Sequence, residues 1–290
     1  MKSIALCYAG LPVYGNFCLD AFMEKAGLEA SKIDMYACFW DARMGQEEIK
    51  YLSQNFDQSF ISYIKKEAPI AELPARFFVF PETNVFRVLA MFYIRKKLFD
   101  FLVNNNKKYD AYIFVRFDLT IEKELDLRWL FDNFSDSGSL FLPYAGNYRN
   151  GYTDTLAVAD WLGFKCYLTV YERLLDILES NKEYVFPKNA RDFVMEVRAG
   201  LKMLNAGKHI KSFRSTPLHP ETIVRRNIEL YGLKPGFFDV GDILIKRDAS
   251  VSRLTVQKET PSLSLAKNLT QIFRDELGEV ADNLFKRKSS

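Results

Sequence analysis

The feature that most constrains the fold is the segment of residues 109–121, Tyr-Asp-Ala-Tyr-Ile-Phe-Val-Arg-Phe-Asp-Leu-Thr-Ile. Residues 111–115 are apolar, β-branched or aromatic, which predicts a central strand buried on both faces. Arg116 and Asp118 follow two positions apart, so the period of a strand places both side chains on the same side. In open α/β sheets, ligands bind at the carboxyl ends of the strands. The segment therefore predicts a binding site at a strand end, or a plain Arg116–Asp118 ion pair that closes the strand.

The composition excludes two broad classes of protein. At 290 residues, with 48% hydrophobic and 15% aromatic residues, the chain is long and apolar enough to bury a full core, which excludes a disordered polymer. Lys and Arg number 40 against 37 Asp and Glu, and a net charge of +3 gives no electrostatic footprint for nucleic acid. Short basic clusters such as Arg95-Lys96-Lys97 are predicted to be solvated faces.

The cysteines and the lengths of the apolar runs indicate the cellular compartment of the protein. Cys7, Cys18, Cys38 and Cys166 show no CxxC spacing, which predicts free, buried thiols in a reducing compartment. The first residues lack the pattern of a signal peptide, and no apolar run approaches 18 residues. We therefore expect a cytoplasmic protein without a transmembrane segment.

Strand and helix patterns alternate along the chain and predict an α/β fold with a mostly parallel central sheet flanked by helices. Strands are predicted at residues 3–8, 34–40, 76–80, 111–115, 139–143 and 243–245. Helices are predicted at residues 16–26, 46–66, 85–103 and 125–134, from residue 157, at 166–180 and 192–205, and from His219-Pro220-Glu221 onward. The loop of residues 9–15 contains glycine and proline, which suits either a close approach to a nucleotide or a structural turn.

The composition changes near the carboxyl terminus. From residue 248 Ser, Thr and Lys dominate, and apolar residues at helical spacing then mark one face of a last helix. We predict one domain over residues 1–247, followed by a linker and a carboxy-terminal amphipathic helix over 248–290. That helix is expected to pack on its own domain. The alternatives are pairing with a partner chain and peripheral contact with an anionic membrane surface.

The positions of the histidines and serines disfavour two kinds of active site. His209 and His219 stand ten residues apart without a Cys or acidic partner at ligand spacing, which disfavours a metal site built from soft ligands. The chain contains no Gly-x-Ser-x-Gly elbow, which disfavours a Ser-His-Asp hydrolase. The remaining candidates are carboxylates at strand ends and in loops, together with one cation: Asp41, Asp118, Asp154, Glu221 and Arg116. Such a set suits a hard cation with oxygen ligands, or general base chemistry on a hydroxyl.

Several short motifs resemble a known family. The Tyr-Asp at 109–110 that leads into Val-Arg-Phe-Asp-Leu at 115–119 is similar to the strand end of GT-A-like glycosyltransferases. These are the uncharacterised bacterial and viral enzymes often linked to surface polysaccharides. Residues 4–10 resemble the first strand and glycine loop of these enzymes, and residues 34–41 resemble their second strand, which ends in Trp-Asp. Residues 153–157 resemble their Asn-Asp-x-Phe-Ala loop, and residues 219–221 resemble the Pro-Glu start of one of their helices. The resemblance covers about residues 1–247.

The resemblance implies a nucleotide-sugar donor held at the carboxyl edge of the sheet, with a carbohydrate hydroxyl as acceptor. It implies that Asp118 binds a divalent cation, Mn²⁺ or Mg²⁺, or the ribose and phosphate of the donor. In the family an Asp-x-Asp holds the metal against the pyrophosphate, whereas here the first acid is replaced by Arg116. Arg116 is then implied as a pyrophosphate partner and Asp154 as the acceptor-side base. From the residues alone, Asp154 has two interpretations, a cap of the following helix or a carboxylate that its loop delivers to a site. Glu221 has the alternative of capping or pairing within its own helix.

The same resemblance assigns the nucleotide side of the site to the first loop. The backbone of Ala9, Gly10 and Leu11 would face the base, with Asp41 nearby.

Three other functions stay open at this stage. The first is a nucleotide- or sugar-binding module on the same fold that has lost turnover, which Arg116 in place of an acid would suit. The second is a nucleotidyltransferase, although the usual glycine-rich opening with Arg or Lys is missing. The third is a glycoside hydrolase, which needs two carboxyl groups at a defined separation.

Overall fold

The computed structural model describes residues 3–10, 15–40, 50–52, 54, 57, 61–64, 85–147, 151–179, 219–247 and 250–254 of the chain. Within these ranges the chain is an α/β protein. Its helices are α1 (Gly15–Lys25), α2 (Val85–Asn104), α3 (Leu127–Asp132), α4 (Trp161–Leu168), α5 (Leu174–Glu179) and α6 (Pro220–Leu230), with 3₁₀ turns at Ala30–Lys32 and Thr169–Arg173. Its strands are β1 (Ile4–Gly10), β2 (Asp34–Trp40), β3 (Ile61–Ile64), β4 (Ala111–Arg116), β5 (Leu119–Ile121), β6 (Leu140–Pro143), β7 (Leu156–Ala159), β8 (Gly236–Phe238), β9 (Ile243–Arg247) and β10 (Ser250–Leu254).

Seven strands form the central sheet, in the order β3-β2-β1-β4-β7-β6-β8. Strands β3, β2, β1 and β4 run parallel, and β8 runs parallel to β6. Strand β7 runs antiparallel to both of its neighbours, β4 and β6. The carboxyl ends of β1, β4, β6 and β8 therefore meet the amino end of β7 at one edge, called the carboxyl edge below. The predicted α/β fold with a mostly parallel central sheet is confirmed.

A second, smaller sheet continues from the central strand. Strand β5 follows β4 after only Phe117 and Asp118, and β9 pairs antiparallel with both β5 and β10. Asp118 thus lies in the connection between the two sheets. Residues 250–254, which fall within the predicted linker, form β10 and pair with β9.

The two faces of the central sheet carry separate cores. Helices α2, α4, α5 and α6 cover one face, where Tyr112 and Phe114 point. Helix α1 and the small sheet cover the other face, where Ile113 and Val115 point. All four side chains are at most 1% exposed, as expected for a strand covered on both sides. By the same alternation, Arg116 belongs to the face that α2 and α6 cover.

Two predicted elements were wrong. The helix expected over residues 46–66 contains helical residues at 50–52, but Ile61–Ile64 forms β3, parallel to β2. The helix expected from residue 157 is instead β7, and α4 begins only at Trp161. In both places a neighbouring strand offers hydrogen-bond partners that the local pattern does not reveal, and this tertiary pairing decides the outcome. For α4, the Asp160 side chain caps the helix by accepting from the Gly163 N–H over 2.8 Å.

Several predictions lie outside the described residues. They are the strand at 76–80, the helix at 192–205, the carboxy-terminal helix, and the site residues Leu11 and Asp41. The four cysteines are free and buried, as predicted. Within the part of the chain that the structure describes, no helix combines the length and apolar character needed to cross a membrane.

Candidate functional site

Three segments of the chain meet at the carboxyl edge: the end of β4, residues 151–155 before β7, and the first turn of α6. The backbone N–H of Arg116 donates to the carbonyl oxygen of Thr155 over 3.0 Å. The backbone N–H of Tyr152 donates to the carbonyl oxygen of Glu221 over 2.9 Å. These hydrogen bonds hold residues 151–155 between the central strand and the helix. The three segments are therefore adjacent at the carboxyl edge.

Gly151 allows the loop and α6 to approach each other. A Cβ atom at this position would lie 2.1 Å from the carbonyl carbon of Glu221 and 2.4 Å from the backbone nitrogen of Thr222. Backbone atoms cannot move aside as the end of a flexible side chain can, so a side chain at residue 151 would push the helix away. The position of Glu221 at the edge therefore depends on this glycine.

Arg116 and Asp118 form a bidentate ion pair at the end of β4. The Arg116 Nε atom lies 3.0 Å from Asp118 Oδ1, and Nη2 lies 2.7 Å from Oδ2. Both carboxylate oxygens are thus engaged by one guanidinium, in the fork geometry that Arg forms with carboxylates. The two side chains keep 25% and 20% of their surface exposed. The ion pair expected from the sequence is present, and it stays accessible at the carboxyl edge.

Carboxylates other than that of Asp118 also interact electrostatically with Arg116. Burial alone would lower the pKa of the Arg116 guanidinium, but nearby carboxylates raise that pKa above its ordinary value. The carboxylates responsible are Asp118, Asp154 and Glu221. Each of the three comes from a different segment, so the fold gathers a cation and three acids that are distant in sequence. A cation whose pKa is raised keeps its full charge at any pH at which a protein works.

Asp154 is almost fully buried, with 6% of its surface exposed, and is paired with Arg95 of α2. The Arg95 Nη2 atom donates to the backbone oxygen of Asp154 and lies 3.2 Å from Oδ2. Asp154 was predicted to be a carboxylate delivered to the site by a loop, with a helix cap as the alternative. The cap of α4 is Asp160 instead. Asp154 therefore reaches the carboxyl edge as a carboxylate held by a buried cation.

Arg95 is the residue that sequence analysis missed. It was assigned to a solvated basic cluster, but its side chain is 1% exposed and lies over the rings of Phe92, Phe114 and Tyr167 at 5.6, 4.8 and 5.7 Å. The assignment was wrong because it considered charge without position. Arg95 stands three residues after Phe92 and three before Leu98, in the middle of the apolar stripe of α2. A cation in that stripe was the available signal.

Buried hydroxyl groups hold the loop that carries Asp154. The hydroxyl oxygens of Thr153 and Thr155 lie 2.8 Å apart, and the Tyr167 hydroxyl donates to the Thr153 carbonyl oxygen over 3.1 Å. Burial raises the pKa of Tyr167 far above its usual value, so this phenol stays a hydrogen-bond donor. The Thr153 N–H donates to Asn147 Oδ1 over 2.8 Å. The residues on either side of Asp154 in the sequence, Thr153 and Thr155, are therefore both held by hydrogen bonds.

Glu221 lies in the first turn of α6, where the helix dipole favours a negative charge. Its Oε2 atom lies 2.9 Å from His219 Nδ1, an ion-pair distance without the angles of a hydrogen bond. The side chains of His219 and Glu221 are 11% and 18% exposed. Glu221 thus pairs within the start of its helix, as one sequence interpretation held, and also contributes charge to Arg116.

Strand β1 borders the cluster on the other side. Ala9 pairs with Arg116 in the register of the sheet, so the end of β1 adjoins the ion pair. Gly10 follows with a φ of 136°, a conformation that side chains disfavour. The side chain of Ala9 is buried in the core, so only backbone atoms of these two residues face the edge. The structure therefore brings Arg116, Asp118, Asp154 and Glu221 together, with Ala9 and Gly10 beside them.

The residues around Asp118 do not fit the metal site that the resemblance implies. A divalent cation in such a site is held by several oxygen ligands. The motif here carries one carboxylate, and both of its oxygens accept from Arg116. Among the described residues, no three His, Cys, Asp or Glu side chains are grouped so that they could hold a metal ion. The positive charge present at this strand end is that of the guanidinium.

No protein-family model and no curated protein matches the chain. Among solved structures, mouse xyloside xylosyltransferase 1 in its apo form is similar with 12% sequence identity and a TM-score of 0.40, over 82% of this chain and 84% of that chain. A galactosyltransferase, LgtC in complex with donor and acceptor sugar analogs, is similar with 11% identity and a TM-score of 0.37, over 80% and 72%. The glycosyltransferase GlyE of Streptococcus pneumoniae TIGR4 is similar with 10% identity and a TM-score of 0.31, over 82% of this chain and 45% of that chain.

Proposed function

We propose that this protein is a glycosyltransferase that moves a sugar from a nucleotide-sugar donor to a hydroxyl group of a carbohydrate acceptor. The observation that carries the proposal is the accessible Arg116–Asp118 pair at the carboxyl end of the central strand, joined there by two further acids. In open α/β sheets this edge is where ligands bind. The motifs that resemble GT-A-like enzymes, including 115–119, 153–157 and 219–221, supply the residues of this edge.

Arg116 is assigned to the pyrophosphate of the donor. A guanidinium forms bidentate contacts with phosphate as readily as with carboxylate, so a bound pyrophosphate would compete with Asp118 for the same N–H groups. Asp118, released from Arg116, would then accept hydrogen bonds from the ribose hydroxyl groups. A cation at this position also stabilises the charge that develops on the leaving nucleoside diphosphate. This assignment makes transfer independent of a metal at Asp118.

Asp154 is assigned to the acceptor side. Arg95 engages Oδ2, so Oδ1 is the oxygen that an acceptor hydroxyl would contact. As the bond between the sugar and the acceptor oxygen forms, the bond between the sugar and the phosphate oxygen breaks, and the acceptor hydroxyl must lose its proton. A carboxylate held in place by a buried cation can take up that proton. Glu221, at the same edge and more exposed, is the second carboxylate to test for this role.

The first experiment measures binding. We would record the thermal stability of the protein with UDP, GDP, CDP, dTDP or CMP, each with and without Mn²⁺. A nucleotide at a hundred times its dissociation constant should add about 2.7 kcal/mol to the free energy of unfolding. We expect one nucleotide to stabilise the wild type without Mn²⁺, and Asp118→Asn and Arg116→Ala to lose that effect.

The matched control is Asp239→Asn, the same substitution in an exposed ion pair with Lys123 at 2.6 Å. It should keep the full nucleotide effect. If no nucleotide stabilises the folded wild type, the donor assignment fails and Arg116–Asp118 is a structural pair. If a nucleotide stabilises the wild type only when Mn²⁺ is present, the proposal that Arg116 replaces a metal ion at the pyrophosphate is wrong.

A second function is a binding module that holds a nucleotide or a sugar without turnover. The observation that favours it is the pairing of both acids with cations, Asp118 with Arg116 and Asp154 with Arg95. The two functions are distinguished by incubating the protein with the nucleotide sugar whose nucleotide stabilises it, and measuring the nucleoside diphosphate released. A transferase releases it faster when an acceptor is added, and loses that acceleration in Asp154→Asn. A binding module releases none above background.

A further inference from the structure

Three aromatic rings line the carboxyl edge beside the acid cluster. The rings of Tyr144 and Phe237 are stacked, with centroids 5.5 Å apart and an angle of 23° between their planes. The ring of Tyr152 meets Phe237 at 5.6 Å with its edge. Tyr144 follows the last residue of β6, and its backbone N–H donates to the carbonyl oxygen of Phe238 over 3.0 Å. The sheet therefore fixes Tyr144 and Phe237, and Tyr152 packs against Phe237. These three residues are called the aromatic row below.

The aromatic row is continuous with the acids. Tyr152 stands two residues before Asp154, and its backbone N–H is bonded to Glu221. Tyr144 continues the alternation that points Leu140 and Leu142 toward the α2 and α6 face, the face to which Arg116 belongs. Neighbouring strands lie about 4.8 Å apart, so β6 is roughly 10 Å from β4 along the edge. Sugar rings bound side by side would bridge that separation.

Tyr144 presents a free aromatic face. Half of its surface, 50%, is exposed, although Phe237 covers one side of the ring. The exposed half therefore includes ring surface that Phe237 does not cover. Burying an aromatic face is favourable, and its negative charge density attracts C–H groups with partial positive charge. A pyranose ring has a face made of such C–H groups, and its hydroxyl groups point outward from the rim.

We propose that the aromatic row is the acceptor subsite, in which the C–H face of a pyranose ring stacks on Tyr144 and an acceptor hydroxyl is directed toward Asp154. The inference rests on the proposed function, because it names what the acceptor side of the same site binds. Ligand pockets commonly combine aromatic walls with a few polar groups that fix orientation. Here the row supplies the wall, and Asp154 with Glu221 supplies the polar groups. The stacking selects for a ring with C–H groups on one face and tolerates different substituents on the rim.

The test uses saturation-transfer NMR on the full-length protein. The probes are methyl β-D-galactopyranoside, methyl β-D-glucopyranoside, methyl α-D-mannopyranoside and methyl β-D-xylopyranoside, each alone and with each of the five nucleotides above. We expect at least one glycoside to receive saturation, strongest at the C–H protons of one ring face. Tyr144→Ala should weaken its apparent affinity about three- to tenfold, if the stacked sugar contributes as much as one partner of an aromatic pair. Tyr144→Phe and Tyr144→Trp should retain binding, since both keep an aromatic face.

The matched control is Trp129→Ala, which removes a ring of similar exposure, 47%, on α3. It should leave glycoside binding unchanged. The inference is overturned if no glycoside receives saturation from the wild type, or if Tyr144→Ala binds as well as Tyr144→Phe. The nucleotide effect on thermal stability separates this failure from failure of the proposed function. If a nucleotide stabilises the wild type but glycoside binding does not depend on Tyr144, only the acceptor subsite is refuted. If no nucleotide stabilises the wild type, the proposed transferase function is refuted.

Discussion

Arg95→Met tests the claim that a buried cation holds Asp154 at the carboxyl edge. Methionine preserves much of the apolar volume among the surrounding rings but removes the charge and the two contacts to Asp154. Removing one partner of a buried ion pair costs about 3–5 kcal/mol, because the other charge is left unpaired away from water. A domain has about 5–15 kcal/mol of stability in total, so the loss should be visible without abolishing folding.

The assay is urea unfolding, followed by tryptophan fluorescence and extrapolated linearly to water. The matched control is Lys96→Met, the neighbouring residue on α2, whose partly exposed partners Asp100 and Glu172 lie 2.6 and 3.5 Å away. A partly exposed pair of this kind contributes about 0–1 kcal/mol. The reasoning would be refuted if Arg95→Met cost no more than Lys96→Met. A double-mutant cycle with Asp154→Leu should show strong coupling, since replacing both partners leaves no unpaired charge.

Two further predictions concern packing and burial. Gly151→Ala should lower the free energy of unfolding by about 1–3 kcal/mol, since the new Cβ would lie 2.1 Å from the carbonyl carbon of Glu221, and an unchanged urea midpoint would contradict that close approach. Burial raises the pKa of the Cys38 and Cys166 thiols to about 12, from 9.0 in the unfolded chain. Because the thiolate is the reactive form, neither cysteine should react with a disulfide reagent at pH 8 until urea unfolds the chain. Because the thiols are neutral in the folded state, their contribution to the free energy of unfolding is fully present below pH 9 and is lost as pH rises from 9 toward 12, by on the order of 1 kcal/mol per thiol at pH 10. Urea curves at pH 8 and pH 10 should therefore show a smaller loss of stability in the double variant Cys38→Ala/Cys166→Ala than in the wild type.

The part of the site that lies on one strand was predictable from the sequence. A fully apolar run ending in Arg116 and Asp118 fixes both the burial of β4 and the side on which the two charges lie, because both depend only on the two-residue period. The ion pair between them was one of the two expected outcomes, and the structure adds its bidentate geometry. The parallel arrangement of β1, β2 and β4 also followed from alternating strand and helix patterns.

The part that depends on tertiary pairing was not predictable in the same way. Asp154 reaches the edge because β7 (Leu156–Ala159) runs antiparallel to its neighbours, whereas a helix was predicted from residue 157. Four small or branched residues carry no period long enough to separate strand from helix, and pairing with both β4 and β6 decides it. The role of Arg95 required knowing which face of α2 is buried. The three-residue spacing from Phe92 held that information, but a charge-based interpretation did not use it.

The position of β1 between β2 and β4 in the sheet has a consequence for biosynthesis. Ser3, at the start of β1, bonds to Asp110 at the start of β4, 107 positions later in the chain. At about 5–20 residues per second, the ribosome delivers that partner roughly 5–20 seconds after β1 is made. During this interval a wholly apolar strand has one open edge, which invites pairing with another nascent chain. Chaperone supply during synthesis, rather than the stability of the finished fold, should therefore limit yield, and soluble expression with and without added chaperones would measure it.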